Sequence, residues 1–193
     1  AVRNRLGNTT HISVIDGDGN AVSMTNSNGA GSGVQIPGTG IQLNSMLGEE
    51  DLNPGGFHRH RVGSRIPSMM SPTVVLKDGT PTLAIGSAGS NRIRSAVLQT
   101  ISGVLDFGMS IEEAVEAYRV HVEGDVVELE GGIPTSIDDV LAHAGLTPNR
   151  WDERNLFFGG VNAVERDPKS ARLAGHGDSR RGGASAEAPR TPS

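Results

Sequence analysis

Thr9 and Thr10 stand side by side and lead into an alternating run, Thr9-Thr10-His11-Ile12-Ser13. A threonine hydroxyl is a weak nucleophile until a neighbouring base takes its proton. The pair therefore reads in two ways. Either one threonine is a nucleophile held at a strand start, or both are β-branched residues that favour a strand. Other reactive residue types narrow the chemistry. The chain has no cysteine, which excludes a thiolate nucleophile, a thiolate metal site and a disulfide framework. The run His58-Arg59-His60-Arg61 offers imidazole and guanidinium groups to a metal or a phosphate. It lacks acidic or histidine partners at ligand spacing and reads as a solvated loop. His11 alternates with Ile12 and reads as a strand position, not a base. His121 and His143 read as structural or surface residues, and Arg65 is assigned no substrate contact.

The elements that must position these residues follow from pattern. His11–Ile15 and Ala21–Thr25 flank Asp16-Gly17-Asp18-Gly19-Asn20, a strong hairpin signal. Ser27–Gly40 is a glycine-rich loop, Ile41–Leu47 a short strand or turn, and Glu49–Pro67 an exposed polar loop. A second hairpin spans Thr73–Leu76 and Thr82–Ile85 around Lys77-Asp78-Gly79. The small-residue segment Gly86-Ser87-Ala88-Gly89-Ser90-Asn91 follows. Ile93, Val97, Ile101, Val104 and Leu105 then recur at helical spacing and predict a helix over 91–107, stopped by Gly108. Ser110 with Glu113 is a capping box, and it predicts a helix running to about Arg119. Val126–Glu130 reads as a strand, Ser136–Ala144 as a short helix and Leu156–Glu165 as a strand, with Leu173–Gly175 its partner. From Arg180 the composition is small, polar and proline-bearing, which predicts disorder. The order of elements is that of an α+β fold with antiparallel sheet.

Bulk composition limits the partners. The 193 residues suit one domain or a large piece of one. Hydrophobic residues are 35% and aromatic residues 3%, enough for a core but not for stacking platforms that hold bases or sugars. A net charge of −5 argues against nucleic acid or an anionic membrane as the main partner. No apolar run reaches the roughly 18 residues of a membrane span. The opening Ala1–Asn8 has no apolar core of the signal-peptide kind and no initiator Met, which marks the chain as a fragment or a processed product.

Four blocks, TTHISVIDGDGNAVSMT, GIQLNSM, SRIPSMMSPTVVLKDG and GSAGSNRIRSAVLQ, occur in this order. Together they resemble the small, C-terminal subunit of the γ-glutamyltranspeptidases, from Thr9 to about Arg181. The resemblance implies the C-terminal half of an N-terminal-nucleophile hydrolase, a sandwich of two sheets between helical layers. It implies three regions: residues 1–8 as the end of a larger subunit, 9–181 as the small-subunit domain, and 182–193 as a disordered tail. It also implies self-cleavage before Thr9, whose hydroxyl attacks its own preceding carbonyl. The freed Thr9 is then the nucleophile, with its new α-amino group as base. The reaction implied is transfer of a γ-glutamyl group, as from glutathione, to water or an amine. No cofactor and no catalytic metal are expected, and the large subunit is the expected partner. Relatives of this kind are periplasmic or extracellular in bacteria.

Further roles carry over by position. Ser27 stands where the family has a hydroxyl that bonds the nucleophile, with the Asp16–Asn20 turn as the hinge that brings the two together. Asn28 and Glu49 (or Glu50) stand near groups that grip the substrate ammonium, and Ser68 where a serine binds its carboxylate. Gly89 and Ser90 stand where two successive backbone N–H groups form an oxyanion hole. Two departures matter. Met69 replaces a second carboxylate-binding serine and cannot donate, and Ser45 breaks the ammonium-binding pattern after Asn44. The altered clamp leaves open a β-lactam side-chain acylase or a poly-γ-glutamate-processing enzyme as the alternative. A half-domain that only binds a partner is the non-enzymatic reading.

Overall fold

The computed structural model describes residues 9–188. The first hairpin is longer than its sequence signal. Strand β1 (Thr9–Ile15) pairs antiparallel with β2 (Ala21–Ser27), in unbroken register from Thr9↔Ser27 to Ile15↔Ala21. The turn is fixed by Asp16, whose Oδ1 accepts from the N–H groups of Asp18 (3.0 Å) and Asn20 (2.8 Å). A second hairpin, β3 (Thr73–Lys77) and β4 (Thr80–Ala88), turns through Asp78 and Gly79 at φ +51° and +79°. Helices α1 (Arg92–Leu105) and α2 (Ile111–Glu116) follow, then β5 (Val120–Glu123), β6 (Val126–Leu129), α3 (Asp138–His143), β7 (Thr147–Arg150), β8 (Gly160–Arg166) and β9 (Leu173–Gly177).

Three layers result. A four-stranded antiparallel sheet, in the order β3-β4-β8-β9, lies in the middle. Helices α1 and α2 cover one face through Leu83, Ile85, Val161 and Ala163 from the sheet and Ile93, Val97, Ile111 and Val115 from the helices. The β1–β2 hairpin covers the other face. Its alternation is inverted relative to an ordinary surface hairpin. The buried or half-buried side toward the sheet carries Thr9, His11, Ser13, Ser23, Thr25 and Ser27, while Ile12, Val14, Val22 and Met24 are about half exposed on the outside. A three-stranded sheet, β5-β6-β7 with β6 and β7 parallel, completes the chain.

Several sequence expectations are corrected. The helix opened by the Ser110–Glu113 capping box ends at Glu116, not Arg119, because Ala117 turns to extended backbone at ψ 146°. Arg119 then enters the core and β5 begins. Strand β7 escapes a pattern reading because Pro148 lies inside it. Leu156–Phe158 form a 3-10 turn, and Gly159 at φ +89° resets the chain before β8 starts. Ser136 caps nothing, and α3 starts at Asp138. The expectation of disorder does not hold at Arg180 itself, whose side chain is sealed inside the molecule; the expected region 1–8 and the last part of the expected tail, 189–193, lie outside the described residues. The Arg180 guanidinium pairs with Glu130 at 2.6 Å and with Asp178 at 3.1 Å, and Asp178 pairs with Arg119 at 2.7 Å. Carbonyls of Val115, Ala117 and Phe158 accept from the Nη groups of Arg119 and Arg180, while Arg119 Nε stays buried without a partner. Two cations and two anions thus cancel in a dry site, and the C-terminal segment is pinned to the end of α2.

Candidate active site

Thr9 opens β1 and Ser27 closes β2, so the hairpin register alone sets them opposite each other. Their hydroxyls meet at 2.8 Å. Ser27 Oγ also accepts the N–H of Gly29 at 3.0 Å, which leaves its own proton free to point at Thr9 Oγ1. Such a pair orients a nucleophilic oxygen but supplies no base. His11, the nearest imidazole in sequence, is spent. Ser13 and Ser23 donate to the carbonyls of Asn162 (3.0 Å) and Ile85 (2.9 Å), so Ser13 Oγ accepts from His11 Nε2–H at 2.9 Å. Nδ1 then accepts from Thr25 at 2.8 Å. The ring lies flat on Gly86, where any Cβ would collide with it. Burial pushes its pKa down to about 4, so it is neutral at pH 7 with both nitrogens engaged. It fastens the first hairpin to the central sheet, a task that the strand-position reading of His11 leaves room for.

Glu49 is brought to the site. It caps a 3-10 turn, Glu50–Leu52, and a Cβ on Gly29 (φ +63°) would run into its carboxylate. Ser45 bridges the two segments, accepting from Ala30 N–H at 2.9 Å and donating to Glu49 Oε1 at 3.4 Å. Asn28 is exposed, and its carbonyl accepts from Gly31 and Ser45 at 3.0 Å each, so its side chain is unused. Ser68 is not drawn in by any hydrogen bond to these groups. Its hydroxyl accepts from Met70 N–H at 3.0 Å, while Met69 and Met70 pack on the core.

Gly89 and Ser90 form the link from β4 to α1, at φ +137° and +54°. Gly89 cannot carry a side chain, because its Cβ would stand 2.7 Å from Gly159 Cα. Serine tolerates its left-handed backbone at some cost, and the segment accepts two backbone bonds, from Arg92 to Gly89 and from Ile93 to Ser90. Among the described residues the N–H groups of Gly89 and Ser90 donate to no backbone acceptor. The Ser90 hydroxyl donates to Asp51 Oδ2 at 3.0 Å, which ties this turn to the acidic loop. Sequence reasoning did not single out Asp51. Its one signal was position, directly after Glu49 and Glu50.

A cleft of about 80 Å³ opens beside Thr9, lined by Thr10, His11, Ala88, Asn162, Asp178 and Arg181 among others. In the His58–Arg61 run, His60 spends its ring on the Leu52 carbonyl at 3.2 Å. His121 bonds Ser95 at 2.7 Å and His143 the Asp139 carbonyl at 2.7 Å. Among the described residues no group of three or more His, Asp or Glu could hold a metal ion.

The family model described as Gamma-glutamyltranspeptidase matches residues 2–188. An acylase ACY 1 proenzyme of a Pseudomonas species (strain SE83) is 40% identical over 162 residues, covering 83% of this chain and 28% of the relative. A glutathione hydrolase proenzyme of Bacillus subtilis (strain 168) is 34% identical over 181 residues, 92% of this chain and 30% of the relative. The chain thus spans less than a third of the length of these relatives. Among solved structures, a mutant of the Helicobacter pylori gamma-glutamyltranspeptidase superposes with a TM-score of 0.76 at 37% identity, covering 89% of this chain and 99% of that one.

Proposed function

The chain belongs to the gamma-glutamyltranspeptidase family, and from that premise we propose that Thr9 is the nucleophile of an acyl transfer from γ-glutamyl amides such as glutathione. The observation that carries this reading is the 2.8 Å contact between Thr9 Oγ1 and Ser27 Oγ, made at the start of the first strand, where among the described residues no imidazole or carboxylate is hydrogen-bonded to the Thr9 hydroxyl. The threonine's own nitrogen is held close enough by covalent structure to serve, and it is an amide until the Asn8–Thr9 bond is cut. Maturation therefore precedes catalysis. Thr9 Oγ adds to the Asn8 carbonyl, the C–N bond breaks as the nitrogen takes a proton, and water hydrolyses the resulting ester.

In the mature enzyme the Thr9 amine accepts the hydroxyl proton as Oγ adds to the donor's γ-carbonyl. The N–H groups of Gly89 and Ser90 receive the developing oxyanion. The proton passes to the leaving amine, and an acyl ester remains on Thr9. Water or an amine acceptor then takes the acyl group. Ser27 orients the attacking oxygen. Asn28 and Glu49 hold the donor's ammonium and Ser68 its carboxylate, with Met69 leaving one carboxylate contact unmade.

A larger subunit of the same precursor completes the site. The outward face of the first hairpin supports this, since Ile12, Val14, Val22 and Met24 form an apolar stripe with no cover among the described residues. The Met69 substitution also favours a second reading, an acylase whose donor is not a standard γ-glutamyl group. Intact-mass measurement of the full-length protein tests the core of the proposal. Two chains whose masses meet at Asn8/Thr9 are expected, along with turnover of γ-glutamyl-p-nitroanilide. Thr9→Ala should remain one chain and be inactive, and a turning-over Thr9→Ala variant would sink the reading. Preference for a side-chain amide of a β-lactam over the anilide would decide for the acylase.

A further inference from the structure

Arg181 is the cation of the Thr9 cleft. It closes a 3-10 turn, Ser179–Arg181, and its stem lies on Gly160, where a Cβ would fall 2.5 Å from Arg181 Cδ. Its Nη2 donates to the Leu156 carbonyl at 3.0 Å and stands 3.8 Å from where a Gly89 Cβ would be. Two glycines thus make room for this side chain. Its Nε is buried with no hydrogen-bond partner, and among the described residues no carboxylate forms an ion pair with it.

The surrounding charges do not cancel it. Asp178 faces the same cleft, but Arg119, Arg180 and the Val161 N–H (3.0 Å) already hold its carboxylate. Glu130 behind it is paired with Arg180. Three guanidinium groups therefore face two carboxylates. His11 is neutral, and Ser27 and Asn162 carry no charge. Arg92 at the start of α1 adds a further positive charge that acts on Arg181. The acidic group on the β2 side is Glu49, which lies over Gly29.

Cutting the Asn8–Thr9 bond turns the Thr9 nitrogen into a primary amine, whose ordinary pKa is about 7.7–8. At neutral pH most of such an amine is ammonium and accepts no proton. We propose that Arg181 holds the freed Thr9 amine unprotonated at neutral pH, making it a competent base; this rests on the reading of Thr9 as an amino-terminal nucleophile. Arg181 is a positioning residue in the electrostatic sense, acting on the base and not on the substrate. Thr9 and Arg181 line one small cleft, and as a general scale two unit charges on the order of 5–10 Å apart, at an effective dielectric of about 20–40, move a pKa by about one to two units.

The test uses the full-length protein, with maturation checked by intact mass. The acidic limb of kcat/KM against pH is measured with γ-glutamyl-p-nitroanilide. In parallel, acetylation of the Thr9 amine by acetic anhydride is followed against pH by mass spectrometry. Arg181→Gln should raise the pKa seen in both by about one unit, and Arg181→Lys should leave it near the parent value. If Arg181→Gln does not fold, Arg181→Met makes the same charge change and keeps an aliphatic stem on Gly160. An unmoved pKa in the neutral variants, or an equal shift in Arg181→Lys, overturns the proposal. A parent that is cleaved but inert toward the anilide refutes the γ-glutamyl reading instead, and the acetylation profile still decides on Arg181. A parent that is never cleaved overturns both.

Discussion

Acid should loosen the first hairpin before it touches the rest of the molecule. His11 is 4% exposed, neutral, and bonded at both ring nitrogens, with its pKa lowered by burial from 6.5 to about 4. The unfolded chain therefore binds more protons than the folded one between these values, and stability rises with pH across that window. The contribution is complete above pH 6.5 and is lost as pH falls toward 4. Integrating between the two pKa values gives a loss of about 2 kcal/mol from pH 7 to pH 5, and about 3 kcal/mol by the end of the window. Glu116 acts lower on the scale. Burial opposes its ionisation, but hydrogen bonds from Ser179 and His176 and the charge of Arg154 outweigh that and bring its pKa to about 2. Its contribution is present above pH 4.5 and fades below, so the range from 5 to 7 is clear of it. Burial lowers His121 too, and that effect is common to any His11 variant. Denaturant unfolding of the full-length protein at pH 5, 6 and 7 should show His11→Gln less stable than the parent at pH 7, by about 1–3 kcal/mol for the mismatched partners. The gap should close by about 2 kcal/mol at pH 5. Parallel loss of stability in both proteins over this range would refute the assignment of a neutral, locked His11.

Three other outcomes follow from the geometry. Asp178→Ala strands Arg119 in the core and leaves Arg180 with Glu130 as its one carboxylate, and should cost about 3–5 kcal/mol in equilibrium unfolding; a loss under 1 kcal/mol would mean that the ion network is wetter than its burial suggests. Gly29→Ala must leave φ +63° or displace Glu49, so KM for γ-glutamyl-p-nitroanilide should rise about tenfold or more, and an unchanged KM would remove Glu49 from the donor site. Ser90→Gly relieves a left-handed serine and forfeits the Asp51 bond, two effects of about 1 kcal/mol and opposite sign. Its kcat should stay within about threefold of the parent if the backbone N–H is the working group, whereas a fall of about a hundredfold would assign the role to the hydroxyl.

Legibility depended on how local the determinants were. The Thr9–Ser27 contact was legible through the family resemblance, and the hairpin signal, which ended at His11 and Thr25, fits it because the register fixed at the Asp16–Asn20 turn carries on to Thr9↔Ser27. The α1 stripe and the Ser110 capping box were readable because their determinants are local. The burial of Arg180 was not, since it exists only because Glu130 lies 50 residues upstream and Asp178 two residues away. A tail of small and polar residues has no local sign of such an anchor. Strand β7 was hidden by its proline, tolerated because β7 pairs only with β6 and forms the sheet's edge. Asp51 and Arg181 escaped notice because each draws its meaning from a distant backbone turn, Ser90 for one and Gly89 with Gly160 for the other.

The inverted hairpin constrains the order of events in the cell. Among the described residues β1 and β2 pair only with each other, so the hairpin has two open edges besides its apolar outer face. Open edges and apolar faces invite association with other chains. A cover carried on the same polypeptide closes over them at an effective concentration near the millimolar range, against the much lower concentration of a separate chain. The proposed cut at Thr9 lies at the end of this very hairpin, and severing it early would discard that advantage. On the proposed reading of a large subunit as that cover, docking first and cutting second leaves the edges and the apolar face least exposed, and the Thr9 hydroxyl stays beside Ser27 until the cover has closed.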